Sequence, residues 1–257
     1  MHAESQRTAV RSFRVLLAYE GRSYKGWQVQ PDVPTVQGEI EAALKRLLGE
    51  FTRVHASGRT DTGVSALGQV IHFSTDRWKY PAGELEDRLK ATLPPDITLR
   101  ALDEVPEDFH SRYNATRKHY RYTVCNMKKP YGKPARPDVY YFGRLVSVEL
   151  MRQAATHLLG PHDFSSFGVN PGRVVESPVK TLMRCDITED PPMITFDLVA
   201  DGFLYKMARS IIGTLLKVGI GAIRPAEIPD ILAARDRRRA GPTAPPYGLC
   251  LIEVFYD

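Results

Sequence analysis

Cysteine is scarce in this sequence, and long apolar runs are missing. The three cysteines are far apart and form no C-x-x-C pair, so we expect neither a disulfide framework nor a thiolate metal site. No stretch approaches the roughly 18 apolar residues of a membrane-spanning helix, and residues 1–7 lack the apolar core of a signal peptide. We therefore expect a protein of the reducing cytoplasm, with no membrane partner.

Acidic residues are absent from two stretches, Ser111–Pro137 and Gly202–Ala226, although the chain carries 35 Lys and Arg against 30 Asp and Glu. In the first stretch cations alternate with tyrosines. This mixture suits RNA, because cations neutralise phosphates and tyrosine rings stack on unpaired bases, but composition alone leaves open a solvated basic loop. The cations are Arg112, Arg117, Lys118, Arg121, Lys128, Lys129, Lys133 and Arg136, and the tyrosines are Tyr113, Tyr120, Tyr122 and Tyr131.

Hydrophobic periodicity predicts an α+β protein. A length of 257 residues allows one large domain or two modest ones, at roughly 150 residues per domain. We place a boundary near Glu104–Phe109, which gives an N-terminal domain over 1–108 and a C-terminal domain over 109–257. Both halves alternate strands with helices. The predicted strands are 11–19, 53–56, 69–74, 97–102, 119–126, 180–188, 193–200 and 249–256, and the predicted helices are 35–49, 85–93, 148–159 and 203–218.

The most informative segment is SGRTDTGVSALGQVIHF, residues 57–73. Glycines punctuate it, and Arg59 and Asp61 lie two residues apart between the first two of them. An R-x-D sequence in a loop is most often a turn with a surface ion pair worth under about 1 kcal/mol. The apolar strands predicted on either side would nevertheless hold this loop rigidly, as a reactive site requires.

Other charged motifs compete weakly with this loop. His72, His110 and His162 lack the spacing of metal ligands. The pair His162-Asp163 has no serine or cysteine nucleophile motif beside it, so we interpret it as a turn or helix cap. The run RDRRR at 235–239 either binds phosphate or ends a helix in solvent.

The segment 57–73 resembles the signature of the TruA family of tRNA pseudouridine synthases, whose centre is G-R-T-D-x-G-V. The resemblance covers most of the chain, in the same order. It extends to YEGRSYKGWQVQ (19–30), TVQGEIEAAL (35–44), LPPDI (93–97), FHSRYNATRKHYRYTVCN (109–126), GPHDFSSF (160–167) and DGFLYKMARSIIGTLLKVG (201–219).

This resemblance implies a pseudouridine synthase fold, with two similar α/β subdomains sharing a mixed, mainly antiparallel sheet with a central cleft. It also implies a homodimer without cofactor or metal that modifies uridines at tRNA positions 38 to 40, in the anticodon stem-loop. Carried over to this sequence, the catalytic residues are Asp61, Arg59, Tyr120 and Arg209. The predicted substrate contacts are Tyr120, Arg112, Arg117, Lys118 and Arg121. The sequence departs from the usual family pattern at Ser65 and at Lys90-Ala91-Thr92. We expect these departures to affect the range of substrates rather than the reaction.

The reaction explains the residue types that the resemblance selects. A carboxylate such as Asp61 can attack or stabilise C1′ when the glycosidic bond breaks, and Tyr120 can stack on uracil and relay the C5 proton. Arg59 can fill the space that a flipped base leaves. Each residue also has an ordinary interpretation, because Tyr120 lies in a strand pattern and Arg209 flanks an apolar helix where arginines often extend to solvent. A non-catalytic tRNA-binding protein and a nucleoside hydrolase are the alternative functions.

Overall fold

The computed structural model describes residues 9–127, 136, 138–170, 172 and 177–257. The chain forms two compact units: unit 1 comprises Met1–Thr116 with Tyr256–Asp257, and unit 2 comprises Arg117–Phe255. The predicted domain boundary between residues 108 and 109 falls inside unit 1 and stays a prediction. No helix in the described part of the chain combines the length and apolar character that crossing a bilayer requires.

The described residues of unit 1 form an antiparallel sheet with two α-helices. Its three long strands have the order β4-β1-β3, and the short β2 pairs with β3. The elements are β1 (Arg11–Tyr19), α1 (Val36–Leu48), β2 (His55–Ala56), β3 (Ser65–Thr75), α2 (Ala82–Thr92) and β4 (Ile97–Val105).

The core of unit 1 follows from strand alternation and helix capping. Phe13, Val15 and Leu17 alternate along β1 and are completely buried, which is the period-2 pattern of a half-buried strand. Helix α1 begins after Thr35, whose side chain accepts a hydrogen bond from the amide of Gly38, and ends at Gly49 in the left-handed conformation with φ 78°. The helix predicted over 35–49 is therefore confirmed, with its two ends acting as caps.

Unit 2 is a mixed, mainly antiparallel sheet with three α-helices in its described residues. The strand order is β10-β5-β9-β8-β7, all antiparallel, and β6 pairs with β5 in parallel. Both units mix helices with antiparallel strands, which confirms the α+β class. The elements are β5 (Arg117–Cys125), β6 (Tyr140–Tyr141), α3 (Val148–Thr156), β7 (Gly160–Asp163), β8 (Val179–Asp190), β9 (Met193–Ala200), α4 (Met207–Gly219), α5 (Ile228–Ala234) and β10 (Leu249–Phe255).

Two predicted helices of unit 2 are too long. The helix predicted over 203–218 begins only at Met207, because Lys206 has a left-handed backbone with φ 62° and therefore cannot continue a right-handed helix. The helix predicted over 148–159 ends at Thr156, after which His157 closes a turn on the carbonyls of Ala154 and Ala155.

In unit 1 the segment after β1 packs directly on the connection between β2 and β3. Gly21 is buried there, and a Cβ atom built on it would lie 2.0 Å from the carbonyl oxygen of Val64. Its amide donates a hydrogen bond to the hydroxyl of Ser65 at 3.0 Å. Only glycine allows this close approach of two backbones. Ser65, one of the two departures from the family pattern, therefore helps to hold Gly21 in place.

We predict that Gly21→Ala lowers the free energy of unfolding by about 1–3 kcal/mol, because the added methyl group forces the backbone contact with Val64 to open. Urea unfolding measures this loss. Gly83 on α2 is the control, since a Cβ atom there would meet nothing within 4 Å. Gly83→Ala should be neutral or stabilising by up to about 1 kcal/mol. Equal behaviour of the two variants would contradict the close contact.

Candidate active site

The loop that carries Arg59 and Asp61 connects two paired strands of unit 1. His55 and Ala56 of β2 lie opposite His72 and Ile71 of β3, and the amide of Ser57 extends the pairing by donating to the carbonyl of Val70 at 2.8 Å. Between these strands the chain forms a short loop whose two ends are hydrogen-bonded to each other. Arg59 is exposed and Asp61 is half-buried, so the loop presents a cation and an anion from a fixed base.

Backbone hydrogen bonds fix the loop around Asp61. The carbonyl of Asp61 accepts from the amide of Val64 at 3.0 Å, which closes a turn, and Gly63 supplies the positive φ of 82° that the turn requires. The carbonyl of Thr60 accepts from the amide of Trp27, also at 3.0 Å. Hydrogen bonds therefore hold the peptide groups immediately before and after the Asp61 side chain.

Arg112 lies in a turn of unit 1 that is tied to the sheet through its neighbour Ser111. The amide of Ser111 donates to Nδ1 of His72 at 3.1 Å, and the Ser111 hydroxyl donates to the carbonyl of His55 at 2.8 Å. Burial lowers the pKa of His72 to about 4, with a further contribution from two neighbouring histidines, so its ring is neutral and Nδ1 can accept. Arg112 itself is exposed, with its guanidinium 5.4 Å from the ring centre of Tyr113.

Tyr120 lies in the middle of β5 in unit 2, where it faces Leu198 of β9 and Leu251 of β10 in the strand register. Its side chain is buried, and its ring meets that of Phe203 edge to face, with the ring centres 5.0 Å apart. Phe203 lies in the segment that precedes α4. The tyrosine therefore has the packed ring that its strand pattern predicts.

Arg209 is anchored near the start of α4. Its Nε donates to the carbonyl of Ala244 at 2.7 Å, and the amide of Ala244 donates back to the carbonyl of Arg209 at 3.0 Å. The segment before Ala244 approaches α4 so closely that a Cβ atom on Gly213 would lie 1.7 Å from the carbonyl oxygen of Pro242. The half-buried guanidinium of Arg209 is thus fixed to the backbone of its own unit.

The three predicted RNA contacts in β5 do not share one face. Side chains alternate along a strand, so Lys118 lies on the face of Tyr120, whereas Arg117 and Arg121 lie on the opposite face. The guanidinium of Arg117 lies 4.6 Å from the ring centre of Phe255.

Arg121 binds a buried carboxylate. Its Nε and one terminal nitrogen donate to the two oxygens of Asp197 at 2.9 and 3.2 Å, and Nε2 of His119 lies 2.6 Å from the same residue. Burial by itself raises the pKa of Asp197, but the hydrogen bonds from His119 and Arg121 outweigh it and lower that pKa below its ordinary value. The carboxylate is therefore ionised and paired at neutral pH.

Part of the basic stretch lies outside the described residues, namely Lys128, Lys129, Tyr131 and Lys133. Arg136 pairs with Asp138 at 2.7 Å. In the run 235–239, the described contacts are internal to unit 2: Arg235 pairs with Asp163, and a terminal nitrogen of Arg237 donates to the carbonyl of Gly241 at 2.8 Å. Asp163 also caps the following turn by accepting from Ser165, in keeping with its interpretation as a cap.

The predicted residues are divided between the two units. Unit 1 brings Arg59 and Asp61 together in one loop and carries Arg112, whereas Tyr120 and Arg209 belong to unit 2, as do Arg117, Lys118 and Arg121. Among the described residues, no group of three or more His, Cys, Asp or Glu is arranged to hold a metal ion.

Comparison with known proteins connects both parts of the chain to one family. The family model described as tRNA pseudouridine synthase matches residues 16–114 and 154–257, which include Arg59, Asp61 and Arg209 but not Tyr120. A tRNA pseudouridine synthase A of Moorella thermoacetica is 46% identical over 95% of this chain and 98% of the relative. One from an Exiguobacterium strain is 43% identical over 96% and 99%, and one from Geobacillus kaustophilus is 42% identical over 95% and 94%. The chain therefore belongs to the tRNA pseudouridine synthase family, among the TruA proteins.

Proposed function

We propose that this protein converts uridine to pseudouridine at positions 38 to 40 of the tRNA anticodon stem-loop, with Asp61 as the nucleophile. The observation that carries the proposal is the half-buried Asp61 on a closed loop between paired strands, inside the segment that the family model matches. A carboxylate held in this way can meet a flipped nucleotide without first having to be ordered.

The chemistry needs one carboxylate and no redox partner. The C1′–N1 bond of the uridine breaks while Asp61 attacks or stabilises C1′, and the electron pair of that bond stays with the uracil. The uracil turns within the site, C5 then bonds to C1′, and any bond between Asp61 and C1′ breaks as this bond forms. N1 ends with a proton, and C5 loses one. Because the detached uracil must not exchange for water, the site has to exclude solvent during this rotation.

Tyr120 is the proposed partner of the uracil ring. Its ring is fixed edge to face against Phe203, which leaves the aromatic group with a defined orientation. A hydroxyl on such a ring can relay the C5 proton. Arg59, exposed next to Asp61 on the same loop, is proposed to occupy the position that the base vacates.

RNA binding is proposed to use Arg112 in unit 1 and Lys118 in unit 2 for phosphate contacts. Lys118 shares a strand face with Tyr120, and exposed Arg112 lies over the ring of Tyr113. Arg117 and Arg121, on the other face of β5, are proposed as more distant contacts, and Arg121 already binds Asp197. The cytoplasmic location expected from the composition and the homodimer implied by the resemblance stay predictions, and light scattering measures the oligomeric state.

The function is tested with unmodified tRNA that carries tritium at C5 of uridine. Isomerisation releases tritium and leaves the RNA chain unbroken and free of abasic sites. A nucleoside hydrolase would leave abasic sites, and a protein that only binds tRNA would release no tritium. Mapping the product to a position outside 38 to 40 would contradict the proposed site of action.

We predict that Asp61→Asn lowers the rate of tritium release by roughly 10³-fold or more, since the amide keeps the shape of the side chain but cannot act as a nucleophile. The urea midpoint and the tRNA dissociation constant should stay close to those of the parent protein. Asp87→Asn, at an exposed position on α2, is the control and should keep full activity. Substantial turnover by Asp61→Asn would reject its role.

We predict that Arg209→Leu loses activity and stability together. The resemblance gives Arg209 a catalytic role, and the variant also removes the hydrogen bond from its Nε to the carbonyl of Ala244, a loss of about 1–3 kcal/mol. Arg152 on α3 is a matched control, because its Nε also donates to a backbone carbonyl, that of Ile187 at 3.0 Å. Arg152→Leu should lose some stability but keep the parent rate of tritium release per folded molecule, and equal rates for the two variants would contradict the role of Arg209.

We predict different effects for substitutions of two cations in β5. Lys118→Ala should weaken tRNA binding and reduce the slope of log K against log salt by about one. Arg121→Ala should instead lower the free energy of unfolding by about 1–3 kcal/mol, since the buried Asp197 loses a charged partner. The folded-state pKa of Asp197 is lowered, so its stabilising effect is present at neutral pH and is lost as the pH falls. The difference in the free energy of unfolding between Arg121→Ala and the parent protein should therefore become smaller as the pH falls.

Urea unfolding at several pH values and filter binding at several salt concentrations separate the two predictions. A larger effect of Arg121→Ala on binding than on unfolding would show that its guanidinium serves RNA rather than Asp197.

A further inference from the structure

A buried glutamine lies behind the Asp61 loop. Gln69 of β3 is completely buried, and its backbone lies opposite Leu17 of β1. Its Nε2 donates to the carbonyl of Gly58 at 2.7 Å, and its Oε1 accepts from the hydroxyl of Ser57 at 2.9 Å. The amide orientation is unambiguous, because a carbonyl oxygen can only accept.

The same amide extends to Tyr19 at the end of β1. Nε2 of Gln69 lies 3.3 Å from the Tyr19 hydroxyl, which is itself 2.8 Å from the hydroxyl of Thr60. Either hydroxyl can donate in the bond between Tyr19 and Thr60, and both side chains are buried together with Gln69.

These contacts bracket Arg59. Ser57 and Gly58 precede it and are held by Gln69, whereas Thr60 follows it, is held by Tyr19, and is the residue immediately before Asp61. The network therefore holds the residues on both sides of Arg59, while Arg59 itself is exposed and Asp61 is half-buried.

Gln69 contributes to stability, because the backbone carbonyl of Gly58 cannot be replaced by an apolar group and would lose this donor. A satisfied polar network also specifies one geometry, which an apolar contact does not. At this position the specified geometry is that of the loop.

We propose that Gln69 and Tyr19 are positioning residues for the reaction, which set the placement of Arg59 and Asp61 through Ser57, Gly58 and Thr60. This inference rests on the proposed function. Neither residue needs to touch the RNA, so their loss should affect the chemical step and leave binding largely unchanged.

The experiment compares single-turnover tritium release at saturating enzyme with the tRNA dissociation constant, for Gln69→Met and Tyr19→Phe. Gln69→Met keeps the length of the side chain and removes its hydrogen bonds, and Tyr19→Phe removes one hydroxyl and keeps the ring. We expect the rate constant per folded molecule to fall roughly 10- to 100-fold for Gln69→Met and about tenfold for Tyr19→Phe. The dissociation constants should change by less than about threefold.

The matched control lies at the other end of the same strand pair. The hydroxyls of Ser12 and Ser74 are 2.8 Å apart, and Ser12 is buried, so Ser12→Ala removes a similar bond between β1 and β3 far along the strands from the loop. Its rate per folded molecule should equal that of the parent protein.

Parent-like rates per folded molecule for both Gln69→Met and Tyr19→Phe would overturn the proposal and leave the network a purely structural role. The same holds if Ser12→Ala is slowed to the same extent. Tyr19→Phe keeps the test decisive if Gln69→Met does not fold. Failure of the proposed function is a separate result, because then the parent protein releases no tritium or Asp61→Asn remains active.

Discussion

The antiparallel pairing of β1 with β3 is the interaction on which the Asp61 loop depends. The loop is short and glycine-rich, and its hydrogen bonds come from residues that this pairing brings together, above all Tyr19 and Gln69. Because side chains alternate along a strand, a slip of one residue in the register would turn Gln69 to the other face of the sheet and leave Gly58 without its partner. The position of the Asp61 carboxylate is therefore linked to the register of the sheet.

The two faces of β5 carry different charged side chains. Tyr120 and Lys118 share one face, and the opposite face carries Arg121, whose charge neutralises the buried Asp197. A stretch that seems uniformly basic in the sequence therefore divides its cations between two faces of one strand. At α4 the backbone around Pro242 packs closely on Gly213. This packing places the carbonyl of Ala244 within hydrogen-bonding distance of Arg209.

The sequence predicts the long elements well, because their hydrophobic periods are clear. The strand predicted over 11–19 matches β1 at both ends, and Thr35 and Gly49 mark the ends of α1. Short elements such as β6, β7 and α5 carry too few residues for a period to appear. The motif identifies Arg59 and Asp61, but Gln69 is one polar residue among apolar neighbours, and its partners are 11, 12 and 50 residues away in the chain. Asp197 was missed for the same reason, since Arg121 lies 76 residues before it.

Unit 1 contains residues from both sides of unit 2 in the sequence. Tyr256 follows all of unit 2, yet its hydroxyl donates to the carbonyl of Ser111 at 2.7 Å and its ring packs against Phe109, with the ring centres 5.4 Å apart. During synthesis on the ribosome, the turn that carries Arg112 therefore lacks this contact until the whole of unit 2 has been made. Unit 1 can therefore be completed only after all of unit 2 has been synthesised.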